Sequence, residues 1–61
     1  MKHEKKIIEL VAKGCTAFEI SKEVGTTLYY AKNLLERIKI KHGAKNAANL
    51  VYIAVQKKII K

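Results

Sequence analysis

Apolar residues recur along this chain at helical spacing, and three glycines punctuate the pattern. Ile7, Ile8, Leu10 and Val11 form a stripe at i, i+3, i+4 spacing, which predicts a helix from about Lys2 to Lys13. Lys13 is expected in its last turn, against the negative helix end. Thr16-Ala-Phe-Glu19 has the form of a capping box, in which Thr16 and Glu19 satisfy each other's orphan amides. A second, short helix is expected to follow it to Val24, with Ile20 and Val24 on one face. A third starts at Thr26 or Thr27, either of which can cap. Its expected core stripe is Leu28, Ala31, Leu35 and Ile38, with Leu34 flanking. The fourth begins at Asn46 and continues to about Lys57. Ala47, Leu50, Val51 and Ala54 form one apolar face, and Ala48, Tyr52 and Val55 form another. Gly14, Gly25 and Gly43 fall where helices should end. Val, Ile and Thr do not alternate with period two, so strands are not expected.

The unit from Ile20 to Arg37 therefore reads as a short helix, a tight turn at Gly25 and a longer helix. This is the pattern of a helix-turn-helix, in which the second helix projects and enters a major groove about 12 Å wide.

A chain of 61 residues is expected to form one domain, residues 1–61, without room for an enzyme cleft and its scaffold. Catalysis is not expected, since no nucleophile–base pair or phosphate-cradling glycine loop is present. Cys15 is alone and cannot form a bridge within the chain. It is expected to be a half-buried apolar residue, and with no signal-peptide pattern a reducing cytoplasm is the expected setting. His3, His42 and Cys15 lack ligand-like spacing, so neither metal nor cofactor is implied. The longest apolar run, Leu50–Val55, is far below the roughly 20 residues that span a bilayer, and the three glycine breaks argue against the continuous Lys-flanked apolar face of a membrane-surface protein, so no membrane association is expected.

Charge sharpens the picture. Residues 1–31 carry five Lys and four Glu, a net of +1, whereas residues 32–61 carry seven Lys, one Arg and one Glu, a net of +7. The total of +8 is thus concentrated from the third helix onward, an asymmetry that solubility alone does not require. Such a cluster suits phosphate neutralisation with counterion release. Lys32 and Asn33, in the first two turns of the projecting helix, are the expected base readers: Lys donates to guanine O6 and N7, and Asn pairs with adenine N6 and N7. Glu36 either accepts from cytosine N4 or, more simply, forms an i,i+4 ion pair with Lys32. Arg37 suits a phosphate. Thr27, Tyr29 and Tyr30 sit at the positively polarised helix start, where hydroxyls and free amides suit a phosphate oxygen. One of the tyrosines is equally suited to packing against the core or a partner.

With these residues in place, the chain resembles the helix-turn-helix domain of the LuxR/GerE family of bacterial transcription regulators. Four stretches carry the resemblance, which runs without a gap from about Glu4 to Ile60. Ile7–Gly14 is similar to the family's first helix and terminal glycine. Thr16–Val24 is similar to its second helix, with Glu19-Ile20 at the family's Glu-Ile pair. Ala31-Lys32-Asn33 stands where the recognition helix usually has Val-Lys-Asn. Gly43–Val51, followed by Ala54, is similar to the loop and start of the fourth helix. The chain departs from the family in its opening motif, of which only Glu4 remains, and at Gly25, Thr26, Tyr30, Leu34 and His42.

The resemblance implies an all-α, four-helix LuxR/GerE-like domain with a recognition helix over about 27–42. It also implies a DNA-contacting Lys32, and Lys45 matches a basic loop position expected to touch the backbone. Family members commonly pair through the fourth helix, and the second apolar face of Ala48, Tyr52 and Val55 points the same way, toward a homodimer formed free or only on DNA. The alternative is that Tyr52 folds back over its own core in a monomer. Members usually carry a receiver or ligand-binding domain ahead of this unit, so this chain is expected to be a stand-alone version or an excised domain. The function expected is sequence-specific binding of double-stranded DNA in transcription regulation. Its alternative is a protein-interaction module of the same fold that binds RNA polymerase or another regulator, for which Leu34-Leu35 and Tyr29-Tyr30 argue.

Overall fold

Side-chain caps set the starts of the second, third and fourth helices. A computed structural model describes residues 3–60 and contains α1 (Glu4–Ala12), α2 (Ala17–Val24), α3 (Leu28–His42) and α4 (Ala47–Gln56), with no strand among the described residues. The expected start at Lys2 lies outside those residues. The Thr16 hydroxyl accepts the Glu19 amide at 3.2 Å while the Glu19 carboxylate accepts the Thr16 amide at 2.8 Å, so both halves of the capping box are made. Thr27, not Thr26, caps α3, accepting the Tyr30 amide at 3.1 Å. Asn46 caps α4 through the Asn49 amide at 2.8 Å.

All four helices end alike. An amide two residues past the end of α2 and α3, and three past the end of α1 and α4, reaches back to the carbonyl five residues before it: Cys15 to Leu10, Thr26 to Ser21, Ala44 to Lys39 and Ile59 to Ala54, at 2.8–3.0 Å. This closure requires a left-handed residue at its bend. Gly25, with φ 72°, supplies it at the turn between α2 and α3. At the end of α4 the residue is Lys58, at φ 59°, where no glycine marks the turn in the sequence. The bend sends the tail back, so that Ile60 is buried in the core and Ile59 packs beside it. The sequence pattern did not foresee this tail. Cys15 follows Gly14 in the same motif at the end of α1 and is half-buried against the core, as expected.

The core joins Ile7, Ile8 and Leu10 of α1, Ile20 of α2, Ala31, Leu34 and Ile38 of α3, Leu50 and Ala54 of α4, and Ile60. Burying each large aliphatic side chain contributes roughly 1.5–3 kcal/mol. The most extensive pairings are α2 with α3 and α1 with α4. The radius of gyration, 10.4 Å, equals that of a compact chain of this length, about 10.5 Å.

Four expectations need correction. The α3 stripe is rotated: Leu34 is buried at its centre, Leu35 is half-buried and Leu28 is 41% exposed. At about 100° per residue, Leu28 lies roughly 90° from the mean direction of Ala31, Leu34 and Ile38. It is also the first helical residue, beyond the edge of the core. Ala47 is exposed for the same positional reason, at the first turn of α4. Lys13 is the residue after α1 rather than part of its last turn. Tyr52 does not fold back over its own core; it is 63% exposed.

Candidate nucleic-acid interface

Helix α3 is about 22 Å long at 1.5 Å per residue. Its buried stripe fixes which residues face away. Opposite Ala31, Leu34 and Ile38 runs a line of Tyr29, Asn33, Glu36 and Ile40, at i, i+4, i+7 and i+11. Tyr29 and Ile40 are its most exposed members, at 79% and 76%. Lys32 borders this line on one side, exposed. Tyr30 and Arg37, seven residues apart and both exposed, border it on the other. Asn33 is half-buried, less open than an unobstructed base reader.

Three cations expected at the interface remain uncompensated. The ion pairs of the described residues are Glu36 with Lys39 and Glu4 with both Lys41 and His42, so Lys32, Arg37 and Lys45 enter none. The expected Glu36–Lys32 pair is not formed. Glu36 turns one turn forward instead and meets Lys39 Nζ at 2.8 Å. Its carboxylate is thereby occupied, although the pair is exposed and weakly held.

The start of α3 offers donors. The Thr27 hydroxyl oxygen accepts the Tyr30 amide, which leaves its own proton to donate. The amides of Leu28 and Tyr29 have no intrahelical carbonyl to bond and lie at the positive end of the helix dipole. Lys45 lies in the loop after α3, and that loop is fixed: the Lys45 amide donates to Asn49 Oδ1 at 2.9 Å, while Asn49 is itself bonded to the capping Asn46.

The far end of α3 is tied to α1. Glu4 Oε1 accepts from Lys41 Nζ at 2.8 Å, and Glu4 Oε2 lies 3.0 Å from His42 Nε2. The Lys41 hydrogen bond holds the Glu4 carboxyl below its ordinary pKa; burial opposes this and the His42 contact adds to it. Sequence reasoning missed this anchor because its partners are 37 and 38 residues apart. It also missed Ile40, which the i, i+4, i+7, i+11 line through Tyr29 would have revealed.

On α4, Ala48, Tyr52 and Val55 are all exposed along one face, with Leu50 and Ala54 buried on the other. Among the described residues no helix is long and apolar enough to cross a membrane. No family model, curated protein or solved structure matches this chain.

Proposed function

We propose that this chain is a LuxR/GerE-like helix-turn-helix domain that binds duplex DNA with α3 in the major groove and regulates transcription. The observation that carries the reading is the outward side of α3: Lys32 and Arg37 flank Asn33 there, exposed and without ion-pair partners, on the helix that follows the Gly25 turn. Lys32 and Asn33 read base edges. Glu36 steadies Lys39 and becomes a base contact only by releasing it. Thr27 and the free amides of the first turn, with Tyr29 and Tyr30, bind one phosphate region, and Arg37 and Lys45 bind others. Two copies pair through Ala48, Tyr52 and Val55 of α4, which sets the two recognition helices about 34–36 Å apart, one turn of DNA. The short patch favours pairing on DNA over pairing in free solution.

The second reading, a module that binds RNA polymerase or another regulator through the same helix, keeps one support. Tyr29 and Ile40 are widely exposed. It loses another, because Leu34 is buried and Leu35 packs against the core. A salt titration of duplex binding separates the two. The DNA reading expects the logarithm of affinity to fall linearly with the logarithm of salt, with a slope of about −0.9 per phosphate neutralised. A flat dependence favours the protein partner.

A further inference from the structure

An open groove runs between α1 and the C-terminal end of α4. Its floor is apolar, made by Ala12, Val55, Ile59 and Ile60. Its rim is cationic, with Lys5 on α1, Lys13 directly after it and Lys58 at the left-handed turn. Among the described residues Glu9 is the only acidic side chain that lines it, four residues from both Lys5 and Lys13. That is the spacing of a helical ion pair, yet no pair joins Glu9 to either lysine. Three ammonium groups and one carboxylate therefore border an apolar trough. No residue of α2 or α3 takes part in it.

We infer that this groove docks an acidic amphipathic helix of another protein. The groove is partly open to solvent and lies between α1 and the end of α4 with its returning tail, which suits a helix laid in by one apolar face. Lys5 and Lys13 are eight residues apart, about 12 Å along α1, so they span two turns of an incoming helix. Its acids would meet the rim, and its apolar side chains would cover Ala12, Val55 and Ile59. A second copy of this chain is a poor occupant of the groove, since it offers no strongly acidic helix face to the rim: residues 32–61 hold a single Glu, and α1 sets lysines beside its two. Val55 belongs both to the groove and to the exposed α4 patch. If pairing through α4 holds, a docked acidic helix competes with it, and the partner acts as a brake on DNA binding.

The test uses the full chain labelled with 15N and no DNA, so its outcome is independent of the DNA reading. The probe is a synthetic peptide of about 15 residues, with leucines at i, i+4 and i+7 and glutamates flanking them. Saturable amide shifts are expected at Ala12, Val55 and Ile59. The Lys5→Glu/Lys13→Glu double variant should weaken binding at least about tenfold with an unchanged circular dichroism spectrum, whereas Lys6→Glu, outside the groove, should leave affinity within about twofold. Absence of shifts at the groove overturns the inference. So does equal binding of a scrambled peptide of the same composition, equal weakening by Lys6→Glu, or the same shifts produced by raising protein concentration alone.

Discussion

Glu4 and His42 stand 38 residues apart in the chain and 3.0 Å apart in space, Oε2 to Nε2. Together with Lys41 they fasten the start of α1 to the end of α3. Both side chains are largely shielded, with 15% and 8% of their surface exposed. The far end of α3 is thereby held against α1, while Tyr29 and Tyr30 at its start stay exposed.

The anchor has a pH signature. The Glu4 carboxyl titrates below its ordinary value of 4.5 in the folded chain. A depressed folded pKa contributes stability that is fully present above the unfolded value and is lost as pH falls through the folded one. Glu4→Gln should therefore destabilise the domain at pH 7, by roughly 1 kcal/mol. The difference from wild type should shrink below about pH 4. Urea unfolding of both proteins at pH 7 and pH 3 checks this, and equal differences at the two pH values would remove the ion cluster from the account.

Lys58 holds a left-handed backbone that glycine would adopt without strain. Lys58→Gly should stabilise the domain by roughly 0.5–1 kcal/mol, and raise its melting temperature by several degrees. Lys58→Ala should bring no such gain, because it retains the Cβ. A thermal melt of the three proteins decides the matter; a Gly variant that melts lower would mean that the turn does not set the tail that buries Ile60.

Much of the fold was legible because its signals are local. Thr16, Glu19 and Asn46 act within one turn, and the pattern of Ile7, Ile8 and Leu10 reports α1 directly. What escaped depends on distant partners. Leu28 and Leu34 both fit a helical stripe, and only the positions of neighbouring helices decide that Leu34 is inside. The return of Ile60 depends on a lysine adopting a glycine-like conformation, which composition does not announce. At the candidate site, the exposure of Lys32 and Arg37 followed from the helical pattern, whereas the pairing of Glu36 with Lys39 is a choice between two turns of one helix that spacing leaves open.

Lys32→Ala distinguishes base reading from backbone contact. On the preferred duplex it should lose roughly 1–3 kcal/mol of binding free energy, with specificity relaxed at one position. Competition binding against random duplex measures both quantities. Equal loss on specific and random DNA would assign Lys32 to a phosphate, and no loss would take it out of the interface.

Tyr52→Glu tests pairing through α4. Tyr52 is exposed, so the fold and half-site affinity should be unchanged while cooperative binding to a full site weakens. Gel-shift titrations on half and full sites read the difference. Full-site binding equal to that of wild type would place the pairing surface elsewhere.

The most direct test of DNA reading is selection of bound duplexes from a random library, followed by sequencing. Enrichment of a defined motif is expected, repeated at a spacing of about 10 base pairs wherever two copies bind. A retained pool as random as the starting library would contradict it.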